Sequence, residues 1–234
     1  WHPTTGTTNW SYNWTVTGIG TQQIQVRAID SSVNLQTTLT TLSVTANPSP
    51  YTSLFSLTDT PSQTSNNDGQ PIELGVKFSS AASGTIAGIR FYRGNSDTGT
   101  DIVDLWSTTG TLLATGIYSG SGTGWQTVTF ATPYTIAANT TYIASYHSTG
   151  GYTSTAGYFT TAHTTGALTA PSDAAGGGNG LYVYGASAFP GNTAGGTNYW
   201  VDVLFQSGPN APPTANSDAF SATQNTALTI LAAD

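Results

Sequence analysis

Apolar and polar residues alternate one by one through short runs along most of the chain, and a period of two commits a backbone to extended strands. In Gln23-Ile-Gln-Val-Arg-Ala28, the residues Ile24, Val26 and Ala28 alternate with Gln23, Gln25 and Arg27. One face of such a strand is ready for burial and the other for water. The same beat recurs in Glu73-Leu-Gly-Val-Lys-Phe78 and in Trp200-Val-Asp-Val-Leu-Phe205. Clusters of Gly, Asn, Asp and Ser punctuate the runs, as turns require, and no stretch reads as a convincing helix. The expected fold class is all-β.

Composition narrows what such a chain can do. Its 234 residues allow one full domain and parts of others. Charged residues make up 6%, with 4 Lys+Arg against 11 Asp+Glu and a net charge of −7. No basic surface exists to release counterions from a phosphate backbone, so nucleic acid is excluded as a partner. No apolar run approaches the length of a bilayer-spanning helix, and no membrane span is expected. The absence of Cys removes disulfides, thiolate nucleophiles and thiolate metal sites together. The absence of Met and the abrupt opening at Trp1 read as a segment of a longer polypeptide.

Two proline-bearing breaks organise the chain. Residues 1–46 hold three candidate strands, around Trp10-Ser-Tyr-Asn-Trp14, Gly20 to Asp30 and Leu39 to Thr45, too few to close a sandwich of about seven. They resemble the C-terminal part of a bacterial immunoglobulin-like domain. Asn47-Pro-Ser-Pro50 is a linker, since neither proline can donate to a ladder. Residues 208–213, Gly-Pro-Asn-Ala-Pro-Pro, form a second one, and residues 214–234 resemble the start of a further immunoglobulin-like or cadherin-like repeat. The central stretch, 51–207, carries candidate strands at Ser53 to Leu57, Ile72 to Ser79, Gly84 to Tyr92, Asp101 to Ser107, Thr111 to Tyr118, Trp125 to Phe130, Thr140 to His147, Tyr158 to Thr160, Leu181 to Tyr184 and Tyr199 to Gln206. So many short strands with short loops imply two packed antiparallel sheets, a jelly-roll-like β-sandwich flanked by partial immunoglobulin-like segments.

Several motifs of this central stretch resemble domain-of-unknown-function family 4082. They are Glu73-Leu-Gly-Val-Lys-Phe78, Gly88-Ile-Arg-Phe-Tyr92, Leu105-Trp106, Gly110-Thr-Leu-Leu-Ala114, Gly124-Trp-Gln-Thr-Val-Thr-Phe130, Thr141-Tyr-Ile-Ala-Ser-Tyr-His147 and Asn198-Tyr-Trp-Val-Asp-Val203. The resemblance implies a non-catalytic sandwich module of large secreted bacterial proteins, set beside immunoglobulin-like repeats and at times beside carbohydrate-active or hydrolytic domains. Where relatives carry a histidine in G-T-H-T-G-S-L-W, this chain reads Gly99-Thr-Asp-Ile-Val-Asp-Leu-Trp106, so a role tied to that histidine does not carry over.

Catalytic chemistry finds few groups to work with. A glycosidase needs two carboxyl groups across its substrate, and the chain has one glutamate, Glu73, with Asp97, Asp101 and Asp104 as partners better read as turn formers. His147 and His163 lack a metal-ligand spacing, and no nucleophile elbow accompanies them. Asn95, Asp97 and Asp101 recur at even spacings around Gly94 and Gly99 and are candidate oxygen ligands for Ca²⁺. Asn66-Asn-Asp-Gly69 reads as a tight turn, and Ala174-Ala-Gly-Gly-Gly-Asn-Gly180 as a mobile loop at the rim of a pocket.

Charge kept where charge is scarce marks a binding face. Glu73 and Lys77 share one side of their strand, Arg90 and Tyr92 one side of theirs, and Asp202 faces away from Val201 and Val203 alongside Trp200. Were these strands neighbours, one sheet face would carry all of them. Flat rings cover the apolar sides of a sugar while fixed donors and acceptors meet its hydroxyls. The candidate ligand-binding residues are Lys77, Arg90, Tyr92, Trp106, Trp125, Tyr146, His147, Trp200 and Asp202, with Tyr184 and Tyr199 as further stacking candidates. The expected function is non-catalytic binding of polysaccharide at the bacterial surface or outside the cell. The competing expectation is a structural repeat or filament subunit that self-associates through poorly guarded β-strand edges.

Overall fold

The computed structural model describes residues 1–5, 12, 14, 16 and 18–208. The expected repeat over 214–234 and most of the expected strand at Trp10–Trp14 lie outside the described residues. Gly20–Val26 (β1) and Thr40–Ala46 (β2) pair antiparallel, with Ile24 opposite Leu42 and Gln22 opposite Val44. Opposed residues share a face, so Ile24, Val26, Leu42 and Val44 gather on one side of this two-stranded sheet. Gln23, Gln25, Ser43 and Thr45 occupy the other, where Gln23 Nε2 donates to Ser43 Oγ at 2.9 Å.

The remaining strands build an antiparallel sandwich. They are Gln63–Asn67 (β3), Ile72–Ser80 (β4), Gly84–Arg93 (β5), Asp101–Ser107 (β6), Leu112–Tyr118 (β7), Gly124–Ile136 (β8), Thr141–Ser148 (β9), Gly151–Ser154 (β10), His163–Thr165 (β11), Leu168–Ala170 (β12), Leu181–Tyr184 (β13), Asn192–Thr193 (β14) and Val201–Ser207 (β15). An eight-stranded sheet runs β11-β12-β4-β9-β6-β7, with β13 also on β4 and β14 on β13. A three-stranded sheet runs β15-β5-β8, and β3 pairs with β10 apart from both. Among the described residues the one helical turn is Tyr158–Thr160, of 3-10 type.

Alternation decides which side chains enter the core. Ile72, Leu74, Val76 and Phe78 of β4, Val103 and Leu105 of β6, and Ala144 and Tyr146 of β9 face Ile89 and Phe91 of β5, Val128 and Phe130 of β8, and Val201, Val203 and Phe205 of β15 in one buried cluster. Phe91 and Tyr146 stack across the two sheets with centroids 4.7 Å apart. Truncating an aromatic side chain here costs about 3–5 kcal/mol, the transfer free energy plus the cavity left behind.

The small sheet is bent where β5 meets β8. Partners jump from Ile86 opposite Tyr134 to Gly88 opposite Thr129, so β8 carries extra residues, Pro133 among them. Proline inside a strand belongs at such a bulge, where no ladder donor is needed. Gly88 is required on the other strand, because a Cβ there would lie 2.2 Å from Val128 O.

Two expected strands are not strands. At Ser53–Leu57 only Thr52 bridges to Phe205, because the next amides turn to a side chain: Leu54 N and Phe55 N donate to the carboxylate of Asp202 at 2.7 and 3.1 Å. Tyr158–Thr160 coils instead of extending, since Gly157 at φ 64 turns the chain and Phe159 N bonds Gly196 O at 2.8 Å. Its aromatic residues are there to pack, which is also what β-propensity measures.

Candidate functional site

The expectation of one charged face is corrected by the sheet order. β4 lies in the eight-stranded sheet and β5 and β15 in the three-stranded one, so Glu73 and Lys77 stand on the opposite side of the sandwich from Arg90, Tyr92 and Asp202. The two outer faces have to be considered separately.

On the small sheet, Asp202 sits directly across from Arg90. The Arg90 guanidinium donates to Asp202 Oδ2 at 2.5 Å and to Phe55 O at 2.6 Å, while Leu54, Phe55 and Val203 amides fill the rest of the carboxylate. Burial pushes the Asp202 carboxyl above its ordinary value, against the pull of Arg90 and of these amides. Trp125 lies against the guanidinium, 4.9 Å from ring centroid to Arg90 Cζ, and Phe55, Tyr92 and Trp200 ring it. Trp200, at φ 57, is buried, with its Nε1 donating to Thr155 Oγ1 at 3.0 Å. These residues hold the strap of 52–55 onto the sheet, and little of them reaches solvent.

On the large sheet, Glu73 and Asp104 are buried beneath the segment 185–190. Ser145 Oγ donates to Glu73 Oε1 at 2.5 Å and accepts from Trp106 Nε1 at 2.8 Å, and Ser187 Oγ donates to Asp104 Oδ2 at 3.0 Å. His147 Nε2 donates to Gly185 O at 2.9 Å, and Phe189 packs edge-on against Trp106. Glu73 Oε2 and Asp104 Oδ1 accept no hydrogen bond among the described residues. Desolvation, with Asp104 adding repulsion against the help of Ser145, pushes the Glu73 carboxyl up to about 8. Beside this cluster a cavity of about 340 Å³ is lined by Lys77, Ile143, Leu181, Phe189 and Thr193. Lys77 Nζ donates to Gly176 O and Gly177 O at 2.8 and 3.2 Å. The glycine-rich loop expected to be mobile is pinned as well by buried Asn179, which bonds Lys77 N and Pro171 O.

The calcium candidates separate by depth. Asp97 and Asp101 are buried with Arg93, whose Nε lies 2.9 Å from Asp101 Oδ2 and 3.9 Å from Asp97 Oδ2, while Asn95 is exposed. Burial pushes the Asp97 carboxyl up to about 7, with Asp101 repelling it. Tyr146 points its ring into the core and presents no surface to a ligand.

The constellation that faces solvent is one the sequence disclosed only in part. The Asn66–Gly69 segment makes the expected turn, with Asn67 Oδ1 accepting from Gly69 N at 2.8 Å and Gly69 at φ 70, and it presents Asp68 outward. Tyr152 of β10 and Tyr184 of β13 both donate to Asp68 Oδ2, at 3.0 and 2.7 Å. Tyr199 lies edge-on to Tyr152 and Tyr182 edge-on to Tyr184, with centroids 5.9 and 5.7 Å apart. The hydrogen bond to Asp68 pushes Tyr184 up to about 12, and burial pushes Tyr199 up to about 12, so both phenols stay protonated donors at neutral pH. Tyr184 is 43% exposed, which leaves much of its ring for a ligand. Tyr184 and Tyr199 are stacking candidates from sequence; Asp68, Tyr152 and Tyr182 are not, because Asp68 comes beside Tyr152 only through the pairing of β3 with β10, two short polar strands with no alternation to disclose them.

No curated protein matches the chain. A family model matches residues 58–201, more than half of its length and nearly the whole sandwich. The chain belongs to the family described as domain of unknown function (DUF4082).

Proposed function

We propose that this sandwich is a non-catalytic binding module of a large bacterial surface or secreted protein, and that it holds polysaccharide outside the cell. The observation that carries the reading is exposed Tyr184 beside exposed Asp68, with half-buried Tyr152 next to them and both phenols fixed on one carboxylate oxygen. Rings held in place lose little freedom on binding and cover the apolar side of a pyranose, while the free carboxylate oxygen accepts from its hydroxyls. The non-catalytic part is supported by the sealing of Glu73, Asp97, Asp101, Asp104 and Asp202, all within 3% of complete burial. A glycan array tests it: the wild-type domain is retained on at least one polysaccharide and Tyr184→Ala is not. Failure of every polysaccharide to retain the wild type ends the reading.

Ca²⁺ at Asp97 and Asp101 belongs to the same proposal. It is favoured by Asp97 Oδ2 and Asp101 Oδ1, which accept no hydrogen bond among the described residues, and opposed by Arg93, which already supplies a cation to both carboxylates. A ligand of the native state raises the melting temperature by mass action, so a chelator that leaves it unchanged removes calcium from the account.

A second reading, structural self-association, is favoured by the β1–β2 sheet, whose Leu42 and Val44 are 50% and 39% exposed on its apolar side. A second copy adding to that face would cover them. Light scattering at rising concentration tests this, and a chain that stays monomeric rules it out.

A further inference from the structure

We infer that the cavity beside Lys77 is a second sugar site, and that the sugar unit it takes carries a carboxylate. The inference rests on the glycan reading above and adds a site at the other end of β13, whose last residue is Tyr184 and whose first, Leu181, lines the cavity. The sheet itself makes the hollow. Leu181 pairs with Gly75 and Lys77 with Ile143. Before Leu181 the chain stands off the ladder, and the side chain of Asn179 takes the place of a strand by accepting from Lys77 N at 2.9 Å. Gly75 has no side chain, so the outer face dips between Glu73 and Lys77, and Pro190 settles into the dip 3.2 Å from where a Cβ would stand. Buried Ile143, Leu181 and Pro190 give the cavity an apolar base, and half-buried Phe189 adds a ring. Thr108, Thr141 and Thr193 add hydroxyls. At about 340 Å³ the space is at the small end of ligand sites, room for a single sugar unit.

Charge decides the class of sugar. In the sandwich Arg90 is paired with Asp202 and Arg93 with Asp101, which leaves Lys77 as the cation with no carboxylate bridged to it among the described residues. Its ammonium is held by two neutral carbonyls, Gly176 O and Gly177 O, at 2.8 and 3.2 Å. Such acceptors fix the position of a cation without cancelling its charge, and a lysine has a further N–H to donate. A long, flexible side chain is thereby ordered before a ligand arrives. A neutral sugar gains from Phe189 and the threonines alone. A sugar carboxylate adds a charge-assisted hydrogen bond, and an amino sugar meets a like charge. The net charge of −7 repels a polyanion from afar, so the preference arises on contact within the cavity and is read with a single sugar rather than a chain.

NMR-detected titration of the full chain with methyl galacturonoside and with its methyl ester separates the cases, because the ester removes the charge and keeps the ring. The acid is expected to bind about tenfold tighter, the worth of one charge-assisted hydrogen bond, and to shift the amides of Gly176, Gly177 and Thr193. Lys77→Met brings the acid down to the affinity of the ester, Lys77→Arg retains the preference, and Tyr184→Ala leaves both affinities in place. Because Lys77 also holds the glycine loop, Thr193→Val is the second variant: it keeps the ammonium, loses an exposed hydroxyl and weakens both sugars alike by about fivefold. Inorganic phosphate is the second arm, and its displacing the sugar at equal concentration reduces the cavity to a general anion site and overturns the sugar assignment. Equal affinity for acid and ester, shifts confined to the surroundings of Tyr184, or binding of neither sugar also overturns the inference. None of these outcomes bears on the glycan array with Tyr184→Ala, since one sugar unit holds too little binding energy to retain a polysaccharide by itself.

Discussion

The two outer faces of the sandwich bury their acids in opposite ways. On the three-stranded sheet Asp202 has Arg90 at 2.5 Å and three backbone amides, so its charge is matched atom by atom. On the eight-stranded sheet Glu73 and Asp104 lie together with hydroxyls, and among the described residues no cation is bonded to them and one oxygen of each accepts no hydrogen bond. Removing a carboxylate from water costs several kcal/mol, and a chain with four cations cannot meet that cost everywhere. Where the guanidinium is present it locks a strap to a sheet; where it is absent, Glu73 keeps its proton near neutral pH.

The comparison breaks most visibly at Arg90. Arg90→Ala leaves Asp202 buried without its partner and should lower unfolding free energy by about 3–5 kcal/mol in urea titration, with Asp202→Ala similar. A loss below 1 kcal/mol would mean that the strap, not the ion pair, holds this face.

The next effect is on pH dependence. A carboxyl raised from 4.5 to about 8 on folding binds its proton more tightly in the native state, so stability is full below pH 4.5 and declines as pH rises toward about 8. Asp97, raised from 3.8 to about 7, acts in the same direction. Glu73→Gln should therefore flatten the slope of stability against pH between about 5 and 8 and stabilise the protein at pH 8 by a few kcal/mol. An unchanged slope would show that Glu73 is ionised in the native state after all. Arg90→Ala should leave this slope in place, since it acts on the other face.

Trp106→Phe sharpens the same face. It removes the Nε1 donor to Ser145 Oγ and should cost about 1 kcal/mol in the same titration. The smallest effect on stability belongs to the exposed group: Tyr184→Ala should stay within about 0.5 kcal/mol of wild type while losing glycan retention. Loss of both together would make Tyr184 a packing residue.

Long strands with a buried face were legible in the sequence: Ile72–Ser80 and Asp101–Ser107 fall within a residue of where the pattern puts them. Gln63–Asn67 and His163–Thr165 escape the same test, being short and polar with no face to bury, and exist as strands because a partner supplies the ladder. Ser53–Leu57 misleads for the converse reason: its apolar residues do pack, but its amides are claimed by a carboxylate 147 and 148 positions away. That Arg90 and Tyr92 share one side of their strand, and that Asp202 faces away from Val201 and Val203 on its own, was readable from phase alone; that the two strands are neighbours comes from the structure. Which sheet each strand joins was not, and that is what divided the expected face in two.

Pro133 gives the small sheet a property of its own. The far side of β15 is partly occupied by Thr52, which leaves β8 as that sheet's open margin. A stranger's backbone approaching it meets the bulged stretch around Pro133 in place of a straight ladder, a poorer template for adding a strand, with no lysine on β8 to guard it.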